Sequence, residues 1–346
     1  MNNIILSFIL ILFSTFSFAQ MKTNKVKFGE EVLLAECSFR GAALAHNTAI
    51  VSGSEGKVFK ALLNKQALQW NLLEIPDCDT LQFRDAAILS EQVILLMSAG
   101  EGKSAQIWKS IDGGKRWKKE YQNLNEKAFF NGFDFWDEQQ GVLISDPIDE
   151  YVYLLQTNNG GSTWKRLESE SLPKLLGKEY GFAASGTGIQ CFGDGKIRIG
   201  TGGAVARIFS SNDYGKNWKI EETPIIQGSE SQGIFSIDFL NEKQAIAVGG
   251  DYANDTITGS NVITLNDNWI INDASKIIKY KSCVKYLTNK IVLTTGTSGT
   301  AISYNAGENW TYLKDLKGYH TIAFDNVSSR GVLAGSEGRV LEFWIE

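Results

Sequence analysis

Histidine is scarce: 346 residues include only His46 and His320, beside four cysteines, four prolines and three methionines. With no Cys-x-x-Cys pair and so little imidazole, the chain lacks the donor set of a zinc site, and no metal or other cofactor is expected. No run of like charge exists. Thirty-four Lys plus Arg against 39 Asp plus Glu give a formal charge of −5, so nothing builds the basic field that holds nucleic acid. No apolar stretch reaches the roughly 20 residues of a membrane-spanning helix, and no transmembrane segment is expected.

The longest apolar run, Ile4 to Phe16, is followed by Ser17-Phe18-Ala19, which puts small residues at the minus-three and minus-one positions of a cut before Gln20. Residues 1–19 therefore read as a secretory signal peptide, although Met1-Asn2-Asn3 supplies no basic side chain. The remainder, 20–346, reads as one domain, exported to the periplasm or beyond. Export permits disulfides, but Cys37, Cys78, Cys191 and Cys283 are too widely spaced for a framework. Free buried thiols are the first expectation and a Cys37–Cys78 bridge the second.

Glycine and aromatics are plentiful, with 34 Gly, 19 Phe, 11 Tyr and 9 Trp, in a chain that is 43% apolar and 21% charged. That is a folded protein with many turns between aromatic-rich strands. The turns repeat. Ser110 to Trp117, Thr157 to Trp164, Ser211 to Trp218 and Ser303 to Trp310 each fit [ST]-x-[DN]-x-G-x-x-W. Asp112, Asn159, Asp213 and Asn305 can fold back onto nearby backbone N–H groups, while Gly114, Gly161, Gly215 and Gly307 supply a positive φ, so each pair pins a hairpin. Trp117, Trp164, Trp218 and Trp310 then open the returning strand, with rings wide enough to fill the space between neighbouring sheets. All twelve residues read as structural.

Degenerate copies end at Trp70 and Trp269, so tryptophans recur at blade-sized intervals. Between them the same phrase returns, and seven apolar second strands are legible, from Thr48-Ala-Ile-Val51 to Gly331-Val-Leu-Ala334. Seven four-stranded sheets set radially make an all-β, seven-bladed β-propeller, which buries sheet faces against neighbours and leaves no long edge. The last unit has room for three strands only. The strand-like Glu31-Val-Leu-Leu-Ala35 is expected to close the ring by pairing with the last blade.

The turn motif resembles the BNR or Asp-box repeat of sialidases and related propellers. Phe39-Arg40-Gly41, Val51-Ser52-Gly53, Phe83-Arg84-Asp85 and Gly335-Ser336-Glu337-Gly338 make the mature chain look like the seven-bladed photosystem II stability and assembly factor family. That resemblance implies a non-catalytic scaffold in an exported compartment, holding a protein partner or a subunit of an assembling membrane complex. Similar bacterial proteins carry the label oxidoreductase, for which the sequence shows no cofactor motif. Gly102-Lys103-Ser104 lacks the earlier glycine of a P-loop, Gly186-Thr187-Gly188 opens no helix, and no G-x-S-x-G is present.

A sialidase-like, glycan-active hydrolase is the enzymatic rival. It needs three arginines about a carboxylate, a tyrosine nucleophile and an acidic partner. Arg40, Arg84 and Arg207 with Tyr180 are the available candidates, though no spacing selects them. The propeller also nominates a face. If the Asp-turns join third to fourth strands at one end, strand entries and the second hairpins lie at the other. The funnel there should collect Arg40, Arg84, Asn131, Tyr180, Gln232, Ser282 and His320 from the entries. Glu55, Asp146, Arg207, Asp251 and Glu337 should come from the hairpins. Among these, Arg40, Arg84, Arg207, Tyr180, Asp146, Asp251 and His320 are the binding-site candidates for a protein partner or, alternatively, a glycan. Arg40 and Arg84 each follow a phenylalanine and are expected to form an anion-binding pair. Asp251, Asn254 and Asp255 read as a polar hairpin, since Ala253 breaks the Ca²⁺-loop spacing. A monomer is expected.

Overall fold

The computed structural model describes residues 25–63 and 68–346, so the signal-peptide assignment lies outside the described residues. The described strands form seven antiparallel sheets arranged as blades around an axis. Their innermost strands, blades one to seven in order, are Phe39–Ala45, Gln82–Ile88, Phe130–Phe135, Ile189–Phe192, Gln232–Phe239, Cys283–Tyr286 and Tyr319–Asp325. The seven-bladed propeller is therefore present. Closure is as expected: Val26–Leu33 pairs antiparallel with Arg339–Ile345, from Val26 opposite Ile345 to Leu33 opposite Arg339, and supplies the outermost strand of blade seven.

The core lies between blades. Phe39 and Val51 of blade one pack with Val332 and Val340 of blade seven, and comparable apolar clusters fill each successive interface around the ring. Trp70, Trp117, Trp164, Trp218, Trp269 and Trp310 each join one of these clusters, which is the packing role their recurrence predicts. Burying one such ring is worth on the order of 2–3 kcal/mol, so the tryptophans fix blade spacing as well as stability.

The four turns share one hydrogen-bond pattern. The hydroxyls of Ser110, Thr157, Ser211 and Ser303 accept the N–H of Gly114, Gly161, Gly215 and Gly307 at 2.8–2.9 Å. Asp112, Asn159, Asp213 and Asn305 accept the N–H of Arg116, Thr163, Asn217 and Asn309 at 2.8–2.9 Å. The first-position hydroxyl is thus a cap in its own right, beyond the two residues expected to pin the turn. Gly114 and Gly307 both have φ 93°, a conformation that a Cβ would strain. The indoles of Trp117, Trp164 and Trp218 donate to the glycine carbonyl of their own turn at 2.9–3.1 Å. Trp310 donates instead to Ser275 Oγ at 3.2 Å.

Side chains also stitch neighbouring inner strands together. Asp85 accepts Phe133 N–H at 2.9 Å, Asp134 accepts Cys191 N–H at 2.7 Å and Asp238 accepts Tyr286 N–H at 2.5 Å. Burial pushes Asp85 well above the ordinary carboxylate range and Asp134 up to about 6. All four cysteines are buried and free, so the Cys37–Cys78 bridge is not formed. Burial raises the Cys37 thiol to about 11 and the Cys78 thiol to about 12, which leaves both thiols protonated and poorly reactive.

Candidate functional site

A β-bulge recurs at the entry of the inner strands. Pairing skips from Phe39 to Gly41 in blade one, Phe83 to Asp85 in blade two and Phe130 to Gly132 in blade three. It skips again from Ile234 to Ser236 in blade five and Tyr319 to Thr321 in blade seven. The residue left out is Arg40, Arg84, Asn131, Phe235 or His320, each released from the ladder at the mouth of the axis. A bulge re-aims one side chain while leaving the alternation beyond it intact, so one backbone device repeated around the ring presents Arg40, Arg84, Asn131 and Phe235 to the wall of a funnel.

Blade four departs from this scheme. Its inner strand is short, and the segment before it leaves the sheet to cross the axis. Glu179–Tyr180 pairs with Gly202–Gly203, which in turn joins the blade-five sheet and makes that sheet six-stranded. From there residues 181–187 run across the channel. Ala183 O accepts Arg84 Nη1 at 2.9 Å, Ser185 Oγ donates to Ser282 O at 2.7 Å and Thr187 Oγ1 lies 2.6 Å from Ser236 Oγ. The crossing segment therefore plugs the propeller and turns an open channel into a blind funnel.

Above the plug is a cavity of about 400 Å³ lined by Arg40, Arg84, Asn131, Asp146, Tyr180 and a wall of further aromatic rings. Arg40, Arg84, Tyr180 and Asp146 meet here, on the face opposite the Asp-turns, as expected. The other three candidates do not line the cavity. Arg207 is buried in a two-pronged ion pair with Glu179, its Nε 2.9 Å from Oε1 and its Nη2 2.5 Å from Oε2. Asp251 accepts Gln232 Nε2 at 3.1 Å and the N–H groups of Ala253 and Asn254 at 2.9 and 3.2 Å, which makes it a loop cap. His320 is buried just behind, its Nδ1 without a partner.

The electrostatics are one-sided. Burial, and then Arg40, hold the Arg84 guanidinium down at about 10. Burial and the same two arginines with Arg339 push His320 down to about 3, so this imidazole stays neutral and adds no charge. Among the described residues no carboxylate is ion-paired with Arg40 or Arg84, and Arg84 Nε is buried without a partner. The nearest acid in the cavity is Asp146, which Asn131 Nδ2 bonds at 3.1 Å and burial pushes up to about 6. Two guanidinium groups and one carboxyl whose ionisation burial disfavours line this cavity, which makes it an anion-accepting site.

The same facts count against the hydrolase arrangement. Arg207 is spoken for by Glu179, so the proposed three-arginine clamp does not assemble. Burial, and then Glu230, push the Tyr180 phenol up to about 12, the opposite of what a nucleophilic tyrosinate requires. Its hydroxyl donates to Glu230 O at 2.5 Å.

A second cavity of about 490 Å³ lies on the Asp-turn side of the plug, lined by Asp85, Asp134, Asp238 and Lys285 among others. Asp85, Asp134 and Asp238 are occupied by the strand-to-strand bonds described above, Asp137 caps its own loop by accepting the N–H groups of Gln139 and Gln140, and Lys285 Nζ pairs with Asp238 at 2.9 Å. No group of three or more His, Cys, Asp or Glu among the described residues is placed to hold a metal, and no described helix is long and apolar enough to cross a membrane.

Phe182, Phe235, Tyr252 and Tyr280 of the cavity wall were not singled out in the sequence. In blade five the bulged residue is Phe235 and not Gln232, which lies three residues earlier at the start of the strand. The signal was the order apolar, bulged residue, small or acidic residue that Phe39-Arg40-Gly41 and Phe83-Arg84-Asp85 share with Ile234-Phe235-Ser236.

The described chain is thus a seven-bladed propeller with a plugged, cationic and aromatic funnel on one face. No protein-family model and no curated protein matches its sequence. Solved structures do resemble it. YCF48 bound to D1 peptide superposes with a TM-score of 0.66 at 11% identity, over 92% of this chain and 97% of that one. YCF48 from Cyanidioschyzon merolae gives 0.65 at 15% identity, over 92% and 98%. The Niastella koreensis GH74 enzyme gives 0.60 at 16% identity, covering 91% of this chain but 53% of that enzyme. At these identities the likeness establishes the fold.

Proposed function

We propose that this protein is a non-catalytic, exported scaffold that holds a protein partner in its funnel, in the manner of a membrane-complex assembly factor. The observation that carries this reading is the pair Arg40 and Arg84, side by side without an acidic partner in a blind aromatic cavity. A charge pair without an ion-pair partner in a half-buried cavity is a receptor for a carboxylate, and the plug allows a side chain to enter but nothing to pass through. A YCF48 structure that contains a D1 peptide supports a polypeptide as the occupant of such a propeller. The Ile4–Phe16 run supports export. In this reading the four tethered turns are BNR-type repeats that frame the wheel, and the protein acts as a monomer.

Affinity capture from the native cell envelope tests this. Arg40→Ala with Arg84→Ala should lose the captured partners by at least tenfold, since each charge-assisted bond is worth about 1.5–3 kcal/mol. A double variant that keeps every partner refutes the site.

The site also predicts a pH dependence. Asp146 titrates near 6 in the free cavity, and an acidic ligand beside it raises that value further, so the complex binds more protons than the free protein. Affinity for an acidic ligand should therefore fall as pH rises through about 6. Arg84 and Tyr180 stay protonated across that range, and His320 stays neutral. Asp146→Asn should tighten binding above pH 6 and flatten the profile, measured by titration calorimetry from pH 5 to 8. An unchanged slope in that variant would remove Asp146 from the account.

A further inference from the structure

The aromatic wall of the funnel carries information that a bare carboxylate receptor does not need. Phe182, on the plug, stacks on Phe235, the bulged residue of blade five, with centroids 3.8 Å apart and planes 14° from parallel. Tyr252 meets both rings edge-on at 6.4 and 6.1 Å, Tyr280 meets Phe235 edge-on at 4.9 Å, and Tyr180 meets Phe182 edge-on at 5.5 Å. Phe235 and Tyr280 are buried, but Tyr252 is 56% exposed. These rings share one cavity with Arg40 and Arg84. The wall is built by three separate departures from the regular propeller: the plug, a bulge occupied by phenylalanine, and a hairpin that turns Tyr252 back over the mouth.

We infer that the funnel recognises a partner polypeptide by an acidic residue next to an aromatic one, the carboxylate seated on Arg40 and Arg84 and the ring inserted against Phe182, Phe235 and Tyr252. This rests on the protein-binding reading above and specifies the chemistry of the occupant. Charge complementarity sets the first half. Two unpaired guanidinium groups select a carboxylate and exclude a lysine or arginine in its place. The second half follows from ring geometry. Aromatic pairs prefer edge-to-face and offset contacts at centroid distances of roughly 4.5–7 Å, and Tyr252 over the stacked pair leaves an exposed ring at the mouth to make another such contact. A cavity of about 400 Å³ has room for one or two side chains. Recognition by a single anchored pair follows, since a few buried aromatic and arginine contacts carry most of the energy of an interface.

The test uses the full mature chain and four fluorescein-labelled peptides that differ at two central residues: Asp-Phe, Asp-Ala, Lys-Phe and Asn-Phe within one Gly-Ser frame. Fluorescence anisotropy should show Asp-Phe binding at least tenfold tighter than each of the others. Tyr252→Ala, at an exposed position, should weaken Asp-Phe severalfold and leave Asp-Ala unchanged, with an unaltered Tm as the check on folding. Arg40→Ala should instead bring Asp-Phe down to the level of Asn-Phe. Equal binding of Asp-Phe and Asp-Ala, or no binding of any peptide, overturns this inference. Envelope capture that still depends on Arg40 and Arg84 while the peptides show no aromatic preference overturns the inference alone. Capture that ignores both arginines overturns the protein-binding reading itself.

Discussion

Arg207→Met is expected to lower stability by about 3–5 kcal/mol, the usual cost of stranding one member of a buried ion pair. Glu179 has a side chain of zero exposure and Arg207 one of 8%, and the pair is bonded through both prongs of the guanidinium. Around it, Glu179 also accepts Thr201 Oγ1 at 2.6 Å and Leu176 N–H at 2.9 Å, and Arg207 Nη2 donates to Lys174 O at 2.8 Å. The pair therefore fastens the long segment between blades three and four to the third strand of blade four. Removing the cation leaves a carboxylate in a place without water, and the fold responds by protonating it or by opening the segment. Glu179→Gln in the Arg207→Met background removes the charge, keeps a carbonyl acceptor for Leu176 N–H and turns its amide NH2 toward the Thr201 hydroxyl, which can accept as well as donate. It should recover at least half of the loss. Thermal unfolding of the single and double variants is the measurement. A single variant within about 1 kcal/mol of the parent would show that the segment is held by something other than this pair. Because Tyr180 follows Glu179 directly and Phe182 comes two residues later, the destabilised variant should also bind ligand more weakly, whereas the rescued one should not.

This ion pair shows where the sequence was readable and where it was not. The propeller was legible because it is written in short-range chemistry. The hydroxyl, the Asp or Asn, the glycine and the tryptophan of each turn lie within eight residues of one another, and seven apolar second strands repeat the same phrase. Arg40 and Arg84 were legible because each follows a phenylalanine at a strand entry that the repeat locates. Arg207 was misplaced because its position in a hairpin says nothing of its partner 28 residues earlier, which bends it away from the axis. Asp251 and His320 were counted as lining residues on the same logic. One caps its own loop, and the other is buried behind the arginines. The aromatic wall was hidden for a different reason. It depends on where pairing slips by one residue, which only a short three-residue order marks, and on a segment that abandons its sheet, which no local pattern encodes. The strand-to-strand bonds of Asp85, Asp134 and Asp238 are likewise invisible in sequence, since each joins residues about one blade apart.

Gly186→Ala should cost about 2–5 kcal/mol, lower Tm and loosen the funnel floor together. Gly186 has φ +76°, and a Cβ there would lie 2.3–2.5 Å from the three carboxyl atoms of Asp85. The left-handed conformation alone costs an alanine roughly 1–2 kcal/mol, and forcing an atom into a packed site adds about 1–3 more. Asp85 cannot swing aside to relieve the clash. Its two oxygens are fixed by the N–H groups of Ala86 at 2.8 Å and Phe133 at 2.9 Å, the second of which ties blade two to blade three. The plug must therefore rise, and it carries Ala183, whose carbonyl holds Arg84, and Phe182, which forms the aromatic wall. Gly228→Ala serves as the control. Its φ is +110° with nothing within 4 Å of the added carbon, so it bears the backbone strain without the collision. If both substitutions lower Tm equally, the contact with Asp85 contributes nothing and the plug is not set by it. If Gly186→Ala alone also weakens peptide binding, the floor of the funnel is held at its height by the absence of one methyl group.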